Sequence, residues 1–183
     1  ATRPDLFQEH WPSHRLGAGC VMFGYSVTAM AIAAGGLVVT AAGGALVTQL
    51  GPWYYGLKKP SWQPPDWLFG PAWTTIFLCM AVAFVLAWQQ LPTTGEKARL
   101  FGIFALNGAL NTLWSFLFFG LRRPDWALVE IVPFFGTIVL MAVTVAPLDQ
   151  RAAWAFVPYL CWVAFATVLN VAIVRRNAPF GQR

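Results

Sequence analysis

Two tryptophans lie inside apolar stretches of the chain, where an indole ring can hold a flat ligand. Trp162 falls near the middle of the last stretch, and the small Ala166 follows it one helical turn later. Trp73 lies early in another stretch. An indole in such a place needs a partner for its N–H, and its face suits an aromatic ligand. Both residues therefore indicate either core packing or the wall of a ligand pocket.

A polar stripe crosses the third apolar stretch. Asn107, Asn111 and Ser115 follow one another at intervals of four, and Trp114 lies beside them. Polar side chains surrounded by lipid turn toward other helices or toward a cavity. The stripe is thus either a set of hydrogen bonds between helices or a set of donors lining a ligand pocket.

Glu130 is the only carboxylate that falls clearly inside an apolar stretch. It lies about one turn after Trp126, near the predicted start of a helix, where the helix dipole favours an acid. One interpretation is a capping residue, or one that reaches out to the membrane surface. The other is a partner for a ligand amine, or a proton site.

Conventional catalytic patterns are missing from the sequence. No histidine falls in an apolar stretch, which excludes a haem held by two histidines. There is no phosphate loop, no Ser-His-Asp order and no acid–base pair of the hydrolytic kind. His10 and His14 are four apart but have no evident third ligand, and the three cysteines read as apolar packing residues. We therefore expect no metal site and no resident cofactor.

Composition indicates a membrane protein. The 183 residues are 58% hydrophobic and only 10% charged, whereas soluble domains carry about 25% charged residues. So little charge cannot cover a globule with polar surface. The net charge of +5 is spread over loops and tails, which favours membrane topology and anionic lipid as its partners and not nucleic acid.

Five apolar stretches are long enough to cross a bilayer, which takes about 20 residues each. The later connections are short and allow only antiparallel neighbours. The predicted fold is an all-α, five-helix up-down bundle over 21–177, with a polar arm at 1–20 and a tail at 178–183. The predicted helices cover about 27–50, 70–90, 98–121, 126–147 and 152–174, with an aromatic loop at 51–69.

Charge predicts the orientation of the bundle. The side with the aromatic loop and the C-terminus carries seven Lys and Arg residues, and the other side carries five. The positive-inside rule then places that loop and the C-terminus in the cytosol.

Small and aromatic residues predict further contacts. Gly36, Thr40 and Gly44 are four apart, with Gly43 beside them, a spacing that lets helices approach closely within a monomer or between subunits. The loop at 51–69 is stiff, because proline fixes φ and removes a donor. Tryptophans at the ends of the stretches are typical membrane-surface anchors: Trp67, Trp88, Trp126 and Trp154.

The loop and its continuation also resemble a known signature. They read Trp53-Tyr54-x-x-Leu57-x-Lys59-Pro60-Ser61-Trp62-x-Pro64-Pro65-x-Trp67, then Gly70-Pro71-Ala72-Trp73-Thr74. Leu110-Asn111-x-x-Trp114, Phe118-Phe119-Gly120, Trp126-Ala127-Leu128, Pro158-Tyr159-Leu160-x-Trp162 and Ala166-Thr167-x-Leu169-Asn170 follow at consistent spacing. Over about residues 36 to 177 the chain resembles the TspO/MBR family of translocator proteins and peripheral benzodiazepine receptors.

That resemblance implies a five-helix bundle, often a homodimer, in a bacterial cell membrane or the mitochondrial outer membrane. It implies one pocket under the first loop for porphyrins such as protoporphyrin IX and, in animals, for cholesterol and benzodiazepine-site drugs. The sterol motif has Val171 where the family has a tyrosine, which argues against sterol recognition by that motif. Carried over by motif, the ligand-binding residues are Tyr54, Trp73, Asn111, Trp114, Trp126, Trp162, Ala166 and Leu169.

A tetrapyrrole fits the residues on physical grounds too. Indole faces suit a flat macrocycle, and Lys58 and Lys59 in the loop can pair with its propionates. Without a histidine in the spans, an iron-free porphyrin is expected rather than haem. We expect a membrane receptor or sensor for porphyrins. The alternatives are porphyrin or sterol transport, a scaffold without a ligand, and light-dependent porphyrin degradation, for which the resemblance implies Trp73 and Trp162 as catalytic residues.

Overall fold

The computed structural model describes residues 21–22 and 24–181. The arm predicted at 1–20, including the His10–His14 pair and Cys20, lies outside the described residues. A two-stranded antiparallel hairpin precedes the first helix, with β1 at Val21–Met22 and β2 at Tyr25–Ser26. Gly24 has φ +79° in its turn, a conformation that glycine adopts without steric cost.

Seven helices follow, and five helical segments in the described part of the chain are long and apolar enough to cross a membrane. This confirms the predicted all-α, five-helix membrane fold. The bounds are α1 Val27–Val47, α2 Pro52–Tyr55, α3 Phe69–Gln90, α4 Thr94–Ser115, α5 Pro124–Val145, α6 Gln150–Trp154 and α7 Val157–Asn177.

Capping residues place two helix starts earlier in the chain than the apolar pattern predicts. α4 begins at Thr94 and not near 98, because the Glu96 N–H donates to the Thr93 hydroxyl (3.2 Å) and the Thr93 N–H donates to the Glu96 carboxylate (3.1 Å). The fifth span begins at Gln150, because the Asp149 carboxylate accepts from the N–H groups that follow. The hydrogen bonds from the Arg151 side chain and from those N–H groups hold the pKa of the Asp149 carboxyl below its usual range, although desolvation acts in the opposite direction.

The aromatic loop has more regular structure than the prediction. Pro52 occupies the first turn of α2, where its missing N–H costs nothing. A 3₁₀ turn at Asp66–Leu68 then leads directly into α3. Between these elements the chain makes a further turn, in which the Gln63 N–H donates to the Pro60 carbonyl oxygen (3.1 Å).

The long helices close into a ring that does not follow chain order. α1 packs against both α3 and α4, and α5 packs against α4 and α7. The last span contacts α3 mainly through α6 and through ring contacts of Trp73 and Trp162. Consecutive α3 and α4 are joined by a short connection but contact each other little, because α1 lies between them. The order around the ring is therefore α1, α3, α7, α5, α4.

α1 and α4 approach closely within one chain. A Cβ on Gly108 would lie 2.7 Å from Thr40 Oγ1, and a Cβ on Gly43 would lie 3.1 Å from Thr112 Oγ1. Within the single chain the predicted stripe contacts α4 at Thr40, whereas an added Cβ at Gly36 or Gly44 would meet nothing within 4 Å. A role for these two glycines in contacts between subunits stays a prediction. The residues of α1 at the close contacts with α4 are Thr40 and Gly43. Gly43 lies one position before Gly44 of the predicted stripe.

Buried apolar side chains form two clusters. The larger one, the central core, fills the middle of the bundle and includes Phe84, Phe134, Ile138, Met141 and Tyr159. The smaller one lies beneath the aromatic loop. We call it the loop-side cluster: Tyr54, Phe118, Ala127, Leu169 and Ile173.

Candidate ligand-binding site

Tyr54 holds the aromatic loop against the bundle through packing and hydrogen bonds. Its ring is buried in the loop-side cluster, its hydroxyl donates to Asp66 Oδ1 (2.8 Å), and Gln63 Nε2 donates to that hydroxyl (3.2 Å). Burial, and then the hydrogen bond and negative charge of Asp66, raise the pKa of Tyr54 well above its ordinary value. At neutral pH Tyr54 is thus an uncharged donor that joins α2 to the 3₁₀ turn before α3.

A second set of hydrogen bonds joins the loop to the end of α7. The Lys58 backbone N–H donates to Asn177 Oδ1 (2.8 Å), and Asn177 Nδ2 donates to the Lys58 carbonyl oxygen (3.0 Å). One side-chain amide therefore pairs with both backbone polar groups of one residue on a distant segment. The loop is held across the loop-side end of the bundle by α3 and α7 together.

The two loop lysines differ in their surroundings. The Lys58 side chain is exposed, whereas Lys59 is half-buried with its ammonium 3.4 Å from the centroid of the Tyr54 ring. This is a cation–π contact. Burial lowers the pKa of Lys59, and the nearby Asp66 charge opposes that shift. Lys58 is consequently the more accessible cation for an anionic group near the loop.

Beneath the loop, stacked rings bring three of the predicted site residues together. Trp114 stacks on Phe118 with ring centroids 5.1 Å apart, and Tyr54 contacts Phe119 at 5.7 Å. Phe118 and Phe119 belong to a π-helical turn, Phe116–Gly120, at the end of α4, a distortion common at functional sites. Tyr54, Trp114 and Leu169 share this cluster, and Ala166 lies half-buried one turn before Asn170.

Trp73 and Trp162 lie in two further ring groups between α3 and α7. Trp73 contacts Tyr159 edge-on at 6.0 Å and Phe77 at 5.4 Å. Trp162 contacts Phe69 edge-on at 5.4 Å and Phe165 at 5.7 Å. Both indoles are half-buried.

Trp126 is the one predicted pocket residue that faces outward. Its side chain is 51% exposed, and the Arg123 guanidinium lies 4.4 Å from its ring centroid. The buried Ala127 next to it occupies the interior position instead. The position fits the interpretation of Trp126 as a membrane-surface anchor, as do the exposed rings of Trp67 and Trp154.

The polar stripe of α4 makes hydrogen bonds between helices. Asn107 Nδ2 donates to Thr137 Oγ1 (2.8 Å), and the Tyr159 hydroxyl donates to Asn107 Oδ1 (2.9 Å). Thr137 in turn donates to the Phe134 carbonyl oxygen (2.7 Å). Asn107 thus ties α4 to α5 and α7. Asn111, one turn later, is buried on the same face.

Two asparagines of α7, Asn170 and Asn177, join this helix to other segments of the chain, and the sequence alone assigned no role to either. Asn170 is almost fully buried, and its amide can donate to the Pro124 carbonyl oxygen (3.1 Å) and accept from the Leu128 N–H (3.3 Å). Asn177 holds the loop. A polar side chain within or at the end of an apolar span is the signal that could have found both.

A cavity of about 680 Å³, open on one side, lies among α1, α3 and α4. Its lining includes the exposed Val39 and Phe101. None of its lining residues in the described part of the chain is charged, and Asn107 and Tyr159 are among its few polar members. None of the eight predicted ligand-binding residues lines it. However, both ring partners of Trp73, Phe77 and Tyr159, form part of its wall.

Two unmatched polar groups lie between these regions. Within the part of the chain that the structure describes, Trp114 Nε1 and both carboxylate oxygens of Glu130 are buried without a hydrogen-bond partner. Among the same residues, no group of three His, Cys, Asp or Glu is placed to hold a metal ion. The region between the two clusters thus combines aromatic faces with buried polar groups that have no partner among the described residues.

Five apolar helices under a fastened aromatic loop define an integral membrane protein with an aromatic-rich interior site. The model of the TspO/MBR family matches residues 27–176, and the chain belongs to that family.

Individual relatives agree with this assignment. The chain is 40% identical to the Translocator protein of Homo sapiens over 126 residues, which cover 68% of this chain and 75% of that protein. It is 40% identical to the Tryptophan-rich protein TspO of Chlorobaculum tepidum over 146 residues, 77% of this chain and 90% of that protein. It is 36% identical to the Tryptophan-rich sensory protein of Cereibacter sphaeroides over 125 residues, 68% of this chain and 77% of that protein.

Proposed function

We propose that this protein is a membrane receptor or sensor that binds porphyrins, protoporphyrin IX among them, and related apolar ligands inside its helix bundle. The observation that carries the proposal is the position of Trp73: its ring partners Phe77 and Tyr159 form part of the wall of an uncharged cavity of about 680 Å³. Small-molecule sites typically measure about 300–1,000 Å³. Relatives named as a translocator and as a sensory protein are consistent with a ligand-binding role.

The aromatic side chains near the proposed site suit a flat macrocycle. Half-buried indole rings on α3, α4 and α7 lie beside the cavity wall or the loop-side cluster, and aromatic faces attract aromatic ligands. The cavity itself has an uncharged lining, so the anionic propionates of a porphyrin must point toward a polar surface. The fastened loop, which carries Lys58 and Lys59, is the proposed surface.

The first experiment is a titration in the dark of detergent-solubilised protein with protoporphyrin IX, followed by tryptophan quenching. We expect saturable quenching, and an absence of saturation would contradict the proposal. Protoporphyrin IX dimethyl ester is the matched probe without propionate charge. Lys58→Gln should weaken binding of the acid about twofold to fivefold and leave the ester unaffected, since exposed ion pairs contribute roughly 0.2–1 kcal/mol.

Light-dependent porphyrin degradation is the second candidate. It is favoured by the half-buried Trp73 and Trp162, two oxidisable rings that lie between α3 and α7 beside the proposed site. Excited porphyrin and dioxygen would supply the reactivity, and a tryptophan would supply electrons. Trp162→Phe should then retain porphyrin binding and slow the loss of porphyrin absorbance under illumination. Binding with a spectrum that is stable in light would favour the receptor.

Transport, assembly and orientation are open to direct measurement. Flux of porphyrin into vesicles containing the protein would favour a carrier over a receptor.

We propose that the protein is a homodimer. Light scattering of the protein in detergent tests this proposal. We also propose that the aromatic loop and the C-terminus face the cytosol, which can be tested by labelling a cysteine placed at Lys58 from one side of intact cells.

A further inference from the structure

A second cavity, of about 560 Å³, lies at the loop-side end of the bundle. We call it the loop-side cavity. Three segments that are distant in the sequence form its wall: α2 with the start of the aromatic loop, the turn between α4 and α5, and the end of α7 with the tail that follows. No described residue lines both this cavity and the one among α1, α3 and α4. The two are therefore separate sites.

Two arginines line the loop-side cavity, and only one of them is engaged with an acid. Arg123 Nε donates to Asp125 Oδ1 (2.8 Å), and its guanidinium lies against the ring of Trp126. Arg122 is exposed and takes part in neither of the ion pairs between described residues. A guanidinium presents its N–H donors in a planar fork that fits a phosphate group. Arg122 is thus the cation of this cavity that is available to an anion.

The backbone at Arg122 is unusual for a residue with a side chain. Its φ is +56°, and it is the one non-glycine residue with positive φ in the described part of the chain. A residue in this conformation just after a helix is most often glycine, which adopts it without steric cost. Strained positions of this kind are concentrated at functional sites. A role for the side chain would explain why arginine occupies this position.

The loop-side cavity lies at the depth of lipid headgroups. Arg122 and Arg123 occupy the turn between two membrane spans, one ending at Gly120 and the next beginning at Pro124. The exposed ring of Trp126, which Arg123 contacts, is typical of that level. Trp53, Leu57 and Phe180 line the same cavity beside the arginines. Cations and apolar walls thus meet where the phosphate of a phospholipid joins its apolar part.

The charge around the cavity favours an anionic headgroup over a zwitterionic one. Among the described residues, this end of the bundle carries six basic side chains and two acids, an excess of four positive charges. The basic residues are Lys58, Lys59, Arg122, Arg123, Arg175 and Arg176, and the acids are Asp66 and Asp125. Basic clusters at the membrane surface attract anionic lipids, and the ammonium group of a choline headgroup would be repelled.

We propose that the loop-side cavity binds the phosphate group of an anionic phospholipid. Arg122 pairs with the phosphate, and Trp53, Leu57 and Phe180 pack against the glycerol and the first methylene groups. Because the loop, the turn and the tail all contribute to the wall, a bound headgroup joins these three segments and stabilises the loop-side end. The site is independent of the ligand that the interior of the bundle binds.

The test is the thermal unfolding midpoint in detergent during titration with dioleoylphosphatidylglycerol. Dioleoylphosphatidylcholine is the matched lipid, with the same chains and no net charge. A ligand that binds the folded state raises the midpoint by mass action. We expect a saturable rise with the anionic lipid and little change with the zwitterionic one. Arg122→Gln should weaken the apparent affinity for the anionic lipid about threefold to tenfold, as loss of a bidentate charge pair near the surface predicts.

Arg175→Gln is the matched control, since Arg175 is an exposed cation at the same end that does not line the cavity. It should keep most of the response to the anionic lipid. Arg122→Gly removes the side chain and fits the backbone conformation. It should leave the midpoint without lipid unchanged or higher, and lose the response to the lipid. A merely structural role of Arg122 would lower the midpoint without lipid instead.

Three results would overturn the proposal: no saturable rise in the wild type, a full response in Arg122→Gly, or equal losses in Arg122→Gln and Arg175→Gln. The last of these would mean that the charge of the whole end attracts the lipid without a site in the cavity. Inorganic phosphate, compared with sodium chloride at the same ionic strength, distinguishes the source of the anion. We expect no specific effect of phosphate, whereas a rise that depends on Arg122 and equals that of the lipid would identify a site for a soluble anion and contradict the assignment to a lipid.

Discussion

The Tyr159 hydroxyl donates a hydrogen bond of 2.9 Å to Asn107 Oδ1, joining α7 to α4 across the interior of the bundle. The same amide donates to Thr137 on α5, so three helices meet at one side chain. Tyr159 also contacts Trp73 and lines the cavity. This bond therefore links the stability of the bundle to the wall of its proposed ligand site.

Tyr159→Phe should lower the free energy of unfolding by about 1–3 kcal/mol, because it leaves the buried Asn107 oxygen unpaired. The measurement is the midpoint of unfolding in detergent. Tyr55→Phe, at an exposed ring, is the control and should change the midpoint little. Equal midpoints for both variants would show that the bond does not contribute to stability.

Gly108→Ala should destabilise the bundle by about 1–3 kcal/mol, because the new methyl group would lie 2.7 Å from Thr40 Oγ1. Adding Thr40→Ala removes that oxygen and should restore most of the loss, a coupling that a double-mutant cycle measures. Gly102→Ala is the matched control on the same helix, where an added Cβ meets nothing within 4 Å. It should be neutral or stabilising by up to about 1 kcal/mol. Independent effects of the two substitutions would contradict the close approach of α1 and α4.

Asn177→Ala should loosen the aromatic loop. The substitution removes both hydrogen bonds to the Lys58 peptide, each of which contributes about 0.5–1.5 kcal/mol. We expect hydrogen exchange at the Lys58 amide to accelerate about tenfold, since 1.4 kcal/mol corresponds to that factor. Gln90→Ala, at an exposed residue on the other side of the bundle, should leave this exchange unchanged. Unchanged exchange in Asn177→Ala would mean that another contact holds the loop.

Tyr54 should make stability depend on alkaline pH. Its pKa is higher in the folded chain than the unfolded value near 10, so the folded state holds the proton more tightly. Its contribution is complete below about pH 10 and is lost as pH rises toward the folded pKa. Lys59 acts in the opposite direction, because burial lowers its pKa.

The comparison of wild type with Tyr54→Phe isolates this effect, since both chains keep Lys59. Unfolding midpoints of the wild type should fall more steeply above about pH 10 than those of the variant. Parallel pH profiles would show that the hydroxyl is not held by Asp66.

The fold class could be predicted from composition and spacing because those properties are local. Ten per cent charged residues and apolar stretches of about 20 residues suffice to predict helices in a membrane. The prolines of the loop fix local backbone geometry, and the quoted motifs resemble the TspO/MBR signature residue by residue. Caps such as Thr93 with Glu96 were also readable in the sequence, and they correct the start of α4.

The partners of each helix face could not be predicted in this way. Periodicity shows which residues share a face, but not which helix covers that face. Gly43 and Gly44 are neighbours in the sequence, and only the insertion of α1 between α3 and α4 places Gly43 against Thr112. Trp126 matches a pocket motif and still points outward, because Ala127 takes the interior position.

The sequence by itself determined that the chain spans a membrane as five helices and that aromatic and proline residues form a loop after the first of them, since charge, length and proline geometry act locally. Only the tertiary structure decided the order of helices around the ring and the position of the cavity. Those features depend on contacts between residues far apart in the chain, and one hydrogen bond from Asn107 to Thr137 sets the relative level of two helices.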